Sequence, residues 1–586
     1  QEGTSSYNKT IYVWAAGNAG GYDEADNSSP ELLAGMSHFI EEIQGHSIAV
    51  VSIDEDGEIS DFSNRCGIAK DFCIAEPGGS VTVAYPTSAD DAGIYEDEKD
   101  DPFSCVQDNS CYAVAGGTSF AAPFVTGGLA AISSYFDGQL GNTEIVSRLF
   151  ATANKDGVYA DSAIYGQGLM DLNAATEPVG QVSAMMSLSL SGPMSPAIFS
   201  NMQLTSPSFG DAILNGIGNH SVIFFDELDA PFRRSLKSLA TDYRNQIINM
   251  DAFDNMQTPI SHVLTSNETE LEIGGFKTQN LAQELIAPHH LLNARADKNQ
   301  FFSLYNYSND SFVSYGLNGS WSLGVFKDPE LRVKNTLRSK FSNPWLNFTA
   351  AGTTFGSVFK NNKHIDFAVA ISTGRNKFQT NEIFGERNSS TVALLEIQPK
   401  SSMLSFQVGM MKENDASLGL SGSGAFNGSN NHLTSFAGLS NSMNLMGGKF
   451  FGSFYLGKSN NIANELGMIK SLSDLYSSSF GIGYLKSSIF NNGDSFIFTI
   501  DQPIRIESGK LHLNVPTLRT KEKNVLFNSI NFNLDPSGRE IHAKGEYFTS
   551  FRDIGLGLTL GYKSDPYHIK FMDDYWYMSL GFNIDI

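Results

Sequence analysis

The 586-residue chain carries 63 acidic and 39 basic residues, a formal net charge of −24, and is too long for one ordinary core, so at least two domains are expected. The charge is concentrated at the front, with 28 acidic against 6 basic residues through Glu177 and 35 against 33 beyond it; this argues against nucleic-acid binding, which needs a basic face. No stretch approaches the roughly 20 apolar residues of a membrane-spanning helix, and the chain starts at Gln1 without a signal peptide, as a processed protein or a fragment would.

In chain order, Ile11 to Gly20 reads as a buried strand ending in a glycine turn that displays Asn18, and His46 to Ile53 as a second apolar strand followed by the acidic turn Asp54-Glu55-Asp56-Gly57. Next come Phe62-Ser63-Asn64-Arg65-Cys66-Gly67 and Cys73-Ile74-Ala75-Glu76-Pro77-Gly78-Gly79, then a strand over Val81 to Tyr85. Strands interleaved with helical segments indicate an α/β sheet with ligands at the strand ends. All four cysteines, Cys66, Cys73, Cys105 and Cys111, lie in this front part as two close pairs. Without metal-site spacing or flanking histidines they suggest two small disulfide loops and an oxidising compartment, with zinc the weaker reading. The acidic run between Asp90 and Asp101 lacks the spacing of a calcium loop and reads first as a solvated loop, with calcium a minority reading and no other cofactor or metal expected.

The run Gly116-Gly117-Thr118-Ser119-Phe120-Ala121-Ala122-Pro123 then crowds small residues around one serine ahead of an apolar, helix-compatible stretch. Ser119 is expected where a glycine-lined loop enters a helix, a setting that suits a nucleophile, with Pro123 tolerated in the first turn. A capping serine is the plainer alternative. The lipase-type G-x-S-x-G elbow does not fit, because Ala121 stands two residues after Ser119.

The A-A-G-N strand end, the A-V-V-S-I-D strand, the C-I-A-x-P-G segment, G-T-S-F-A-A-P and Tyr165-Gly166-Gln167-Gly168-Leu169-Met170-Asp171 follow one another in the order found in subtilisin-like serine proteases. Residues 8 to 178 resemble the later part of that catalytic domain. The resemblance implies that Ser119 is the acyl-forming nucleophile, that Asn18 donates its side-chain amide to the oxyanion, and that Ala15, Ala16 and Gly17 wall the pocket for the residue before the scissile bond. The family's D-S/T-G and H-G-T-H-type motifs precede the A-A-G-N strand, and none of the eleven histidines sits in such a motif. His38 and His46 read as surface or loop histidines. An N-terminally truncated subtilase is therefore expected, its base and orienting acid lying outside this chain. Glu76 departs from the small residue usual before Pro-Gly and is expected to perturb the adjacent loop or to face solvent.

After Pro178-Val179-Gly180 the composition shifts to Ser, Gly, Asn and Phe, and residues 179–290, including the serine- and methionine-rich stretch Val182 to Met202, read as linker and irregular β-rich chain. From 291 to 586 dyad alternation recurs: Phe367, Val369 and Ile371; Ile554, Leu556, Leu558 and Leu560; and Trp576, Met578, Leu580, Phe582, Ile584 and Ile586 all alternate with small or polar residues. This is the signature of an outer-membrane β-barrel; a soluble β-sandwich is the rival. The expected fold is thus a partial α/β subtilisin-like domain over 1–178 followed by an all-β domain over 291–586. Together they resemble a subtilase-type autotransporter, and the resemblance implies a barrel of about twelve antiparallel strands. That resemblance implies a serine endopeptidase at the bacterial surface or outside the cell, with polypeptide as substrate and outer-membrane lipid around the barrel. The alternative is a catalytically inactive passenger used for binding or adhesion.

Overall fold

The computed structural model describes residues 10–22, 26–85, 104–107, 110–186, 195–198, 204–205, 207–240, 259–265, 269–276, 300–306, 310–315, 323–332, 337, 341–349, 352–360, 364–375, 389–414, 416–422, 424–426, 432–463, 467–520, 522–551 and 554–584. The chain forms two compact units: Gln1–Ser183 with Ile223–Arg233 and Thr517–Leu526 in the first, the remainder in the second. The front unit thus runs past the expected boundary at 178 and takes in a stretch expected as linker.

In the front unit, β1 (Tyr12–Ala15), β2 (Ser47–Ile53) and β3 (Cys73–Pro77) form a parallel sheet in that order, with Ala15 opposite Val50 and Ala49 opposite Cys73. Every residue of β2 is buried, as its unbroken apolar run requires of a central parallel strand, whereas β1 is only half-buried rather than the buried strand its sequence suggested. β4 (Val81–Tyr85), β5 (Ser104–Gln107) and β6 (Ser110–Ala115) form an antiparallel sheet in the order β4-β6-β5. The helix α1 (Thr118–Tyr135) packs on β1, β2 and β3 through Ala121, Val125, Gly128, Leu129 and Ile132, one stripe at helical spacing. Gly128 leaves room for the Met170 thioether from the closing stretch, which also bridges β3 through Leu169 and Ala75. Pro123 is the sixth residue of α1, not in its first turn as expected, so the Ser119 carbonyl lacks its helical N–H donor.

Cys66 and Cys73 form a fully buried disulfide, Cα atoms 5.7 Å apart. Cys105 and Cys111 are directly opposed across β5 and β6; their side chains lie outside the described residues. So do the acidic run from Asp90 to Asp101, weighed above as a calcium loop, and Ile586.

The front unit is fastened by Arg148, fully buried on α2 (Asn142–Thr152). Its guanidinium donates to the Ala175 carbonyl (2.5 Å), the Glu177 carbonyl (2.6 Å) and Asp226 Oδ2 (2.7 Å), and lies over the rings of Phe136 and Phe232. Asp226 in turn accepts the backbone N–H groups of Val179, Leu228 and Ala230.

Among the described residues, the second unit is dominated by one antiparallel sheet of fifteen strands, from Pro259–Thr265 to Tyr575–Ile584. Fifteen replaces the expected twelve, and the sheet starts ahead of residue 291. Closure of the first strand on the last is not among the pairings of the described residues. The two faces are inverted relative to a soluble sheet. Strand His432–Leu445 buries His432, Thr434, Ser440 and Ser442 and exposes Leu439, Met443 and Leu445. Strand Tyr575–Ile584 exposes Trp576, Met578 and Leu580 and buries Ser579; Phe367, Val369, Ile371, Leu558 and Leu560 are likewise exposed. Against that buried face lie the described residues 323–332 and 341–349. There the Gly324 N–H donates to Glu396, Asn343 to Gln407, Trp345 stacks on Phe436 at 4.7 Å, and Val325, Phe326, Leu331 and Phe341 cluster with Phe451, Leu485 and Ile497.

Candidate active site

The fold brings the two ends of the proposed chemistry together across a hundred residues. β1 runs half-buried into Ala16 and Gly17, and the chain turns at Asn18 with its peptide held by Asn64, whose Oδ1 accepts the Ala19 N–H at 2.8 Å while its Nδ2 donates to the Ser29 carbonyl. Opposite, Gly117 at φ 155° and ψ 150°, a conformation essentially confined to glycine, swings the chain from β6 into α1. The Gly117 N–H is anchored on the Gly78 carbonyl at 2.8 Å. Thr118 is the first helical residue and fully buried; Ser119 is the second and exposed.

Thr118 ties the two loops into one object. Its N–H donates to Asn18 Oδ1 at 2.9 Å, its hydroxyl donates to the same oxygen at 3.0 Å, and that hydroxyl accepts the Gly17 N–H at 3.2 Å. A backbone N–H can pair only with the amide oxygen, so the Asn18 orientation is fixed chemically and its NH₂ is turned away from Thr118. A Cβ on Gly117 would lie 3.6 Å from Asn18 Nδ2 and 3.8 Å from the Ser119 nitrogen. The Asn18 amide nitrogen, the Ser119 nitrogen and the Phe120 ring therefore border one small space that the glycine leaves open, at the positive end of the 18-residue helix that carries Ser119. Such a constellation suits a developing oxyanion.

Of the expected site residues, Ser119, Asn18 and Gly17 are brought together. Ala16 is fully buried and Ala15 half-buried. Among the described residues no histidine or aspartate hydrogen-bonds the Ser119 hydroxyl. His38 is exposed and edge-on to Phe39, whereas His46 is buried rather than at the surface. Thr118 and Glu31 were missed in the sequence: the first carries no signal beyond its place before the serine, the second none at all. The Glu31 side chain lies against Gly17, whose φ is 110°.

Glu76 corrects a further expectation. It is 5% exposed in β3, two residues before the Gly78 that anchors Gly117, so it does not face solvent. Burial pushes its carboxyl from 4.5 up to about 7. The folded chain then holds a proton that the unfolded chain releases, so the stability this group contributes is full below pH 4.5 and is lost as pH rises through 7. Glu76→Gln is expected to leave the unfolding midpoint nearly unchanged at pH 4.5 and to raise stability at pH 8, by about 3 kcal/mol at most on the usual conversion. Urea unfolding of both proteins at the two pH values checks this.

Residues 2–168 match the model described as "Subtilase family". Over 166 residues the chain is 29% identical to Serotype-specific antigen 1 of Mannheimia haemolytica, covering 28% of this chain and 16% of that protein. Over 165 residues it is 23% identical to the Extracellular serine protease of Serratia marcescens, covering 28% and 15%. The chain thus spans about a sixth of the length of these relatives. Among solved structures, the self-cleaved protease domain of PatA is similar at 20% identity over 28% of this chain and 48% of that one, with a TM-score of 0.20. The PatG macrocyclase in complex with peptide is similar at 22% over 29% and 43%, again at 0.20.

Proposed function

From a chain whose residues 2–168 match the subtilase family, we propose a serine endopeptidase that hydrolyses peptide bonds through an acyl-enzyme on Ser119, at the bacterial surface or secreted across the outer membrane. The observation that carries the reading is the pair of nitrogens, Asn18 Nδ2 and the Ser119 backbone N, bordering the space that Gly117 leaves open at the head of the helix carrying the exposed Ser119. Ser119 Oγ attacks the substrate carbonyl, the carbonyl oxygen takes the negative charge towards the two donors, and the hydroxyl proton passes to a base and on to the leaving amine. Subtilases supply that base from a histidine motif that this sequence does not contain.

The inverted sheet supports the membrane half of the reading. A face of Phe, Leu, Ile, Met and Trp turned outward with Ser, Thr, Glu and Gln turned inward is unfavourable in water and favourable in hydrocarbon. The contrary reading, a non-catalytic passenger, would be favoured if the aspartate and histidine motifs of the full-length gene product are degenerate, and disfavoured if they are intact. One experiment separates them. Outer-membrane fractions of cells expressing the full-length gene product are treated with a serine-directed phosphonate and run on gels with and without boiling. Labelling that disappears in Ser119→Ala, on a protein with heat-modifiable migration, is expected; labelling that persists in Ser119→Ala overturns the assignment, and a wild-type protein that is never labelled selects the passenger.

A further inference from the structure

We infer that Glu31 is a specificity-determining residue of this site and selects lysine or arginine as the residue on the acyl side of the cleaved bond. The inference rests on the active-site reading above and deepens it.

Glu31 reaches its place through backbone pairing, its N–H donating to the Ala16 carbonyl at 2.9 Å and its carbonyl accepting the Gly35 N–H at 2.8 Å. The side chain then folds over Gly17. A Cβ on Gly17 would meet Glu31 Cγ at 2.7 Å, Oε1 at 2.8 Å and Cδ at 2.9 Å, which places the carboxylate directly against Gly17, itself at a φ of 110° that favours glycine. Glu31 is exposed, and among the described residues its carboxylate makes no hydrogen bond and no ion pair, so it is hydrated and accessible to a ligand.

Geometry points it at the substrate. The scissile carbonyl has to lie between Ser119 Oγ and Asn18 Nδ2, and the residue that owns this carbonyl has its Cα one bond away. Gly17 and Asn18 are consecutive, with Cα atoms about 3.8 Å apart, and the carboxylate rests on Gly17. A lysine or arginine side chain reaches roughly 6–7 Å from its Cα at standard bond lengths, long enough for a residue seated beside Gly17 and Asn18 to bring its cation to a carboxylate resting on Gly17. An aliphatic side chain placed there leaves the carboxylate unsatisfied under a bound peptide, and an acidic one is repelled. The strongly acidic front part adds long-range attraction for basic peptides.

The test uses full-length protein carrying Ser119→Ala, so that binding is read without turnover, titrated calorimetrically with two hexapeptides differing only in Arg or Leu at the acyl-side position. Arg is expected to bind about tenfold or more tightly, the order of a charge-assisted hydrogen bond. Adding Glu31→Gln is expected to remove the difference, and Glu31→Lys to reverse it in favour of a Glu peptide. Equal binding of the Arg and Leu peptides, or a preference for Arg that survives Glu31→Gln, overturns the inference. Phosphonate labelling of the wild-type protein reports separately on the catalytic reading, so a labelled enzyme without Arg preference loses only Glu31, and an unlabelled protein that prefers Arg loses only catalysis.

Discussion

Asn18→Ala is expected to lower kcat about 10²–10³-fold while KM stays close to its starting value, a magnitude taken over from the oxyanion asparagine of subtilisin rather than derived from this chain. The split follows from timing: the amide is asked for only when negative charge develops on the carbonyl oxygen, so its loss raises the barrier without weakening ground-state binding. Asn18→Asp is expected to be at least as damaging. A carboxylate still accepts from the Thr118 N–H and hydroxyl, but it donates nothing and places a negative charge where one is about to form. Thr118→Val, which keeps the N–H contact and removes the hydroxyl that steadies both Asn18 and Gly17, is expected to cost about tenfold in kcat, consistent with losing one net hydrogen bond from a positioning residue. Steady-state kinetics on the full-length gene product decides. Equal losses in kcat and in substrate affinity would mean that Asn18 holds the substrate rather than the transition state.

The largest stability effect is expected at Asp226. Asp226→Ala strands a fully buried guanidinium and removes the acceptor for three backbone N–H groups, at a cost of about 3–5 kcal/mol. Arg148→Met is expected to be milder, because Asp226 keeps those three donors and the methionine can still fill the space between Phe136 and Phe232. The double variant should fall short of the sum of the two by about 1–3 kcal/mol, since each single change already breaks the same ion pair. Urea unfolding midpoints of the four proteins measure the cycle. Strict additivity would show that the pair contributes nothing as a pair.

The proposed nucleophile Ser119 and the proposed oxyanion donor Asn18 stood out in the sequence because each sits in a short run whose order along the chain is informative. The alternating strands were legible because a period of two survives averaging. Strands such as Thr269–Phe276, which ends in Gly-Gly-Phe and carries two glutamates, alternate too weakly to stand out, and the expected twelve comes from the resemblance rather than from a count of strands, whereas the described residues pair fifteen in one sheet. Arg148 and Asp226 stand 78 residues apart in ordinary surroundings, and nothing local marks either as buried. Thr118 and Glu31 escaped for the same reason: their roles are set by what the fold lays against them, a distant asparagine in one case and a glycine fourteen residues back in the other.

The chain laid on the polar face of the large sheet changes what that face offers to water. Left bare, a surface of serines, threonines, glutamates and glutamines would hold a film of ordered water, continuous along the strands. Gly324, Asn343 and Trp345 take up those hydrogen bonds and ring contacts themselves, so at these positions chain stands where water would otherwise pair, and anything that displaced it would trade contacts already made for contacts of the same kind.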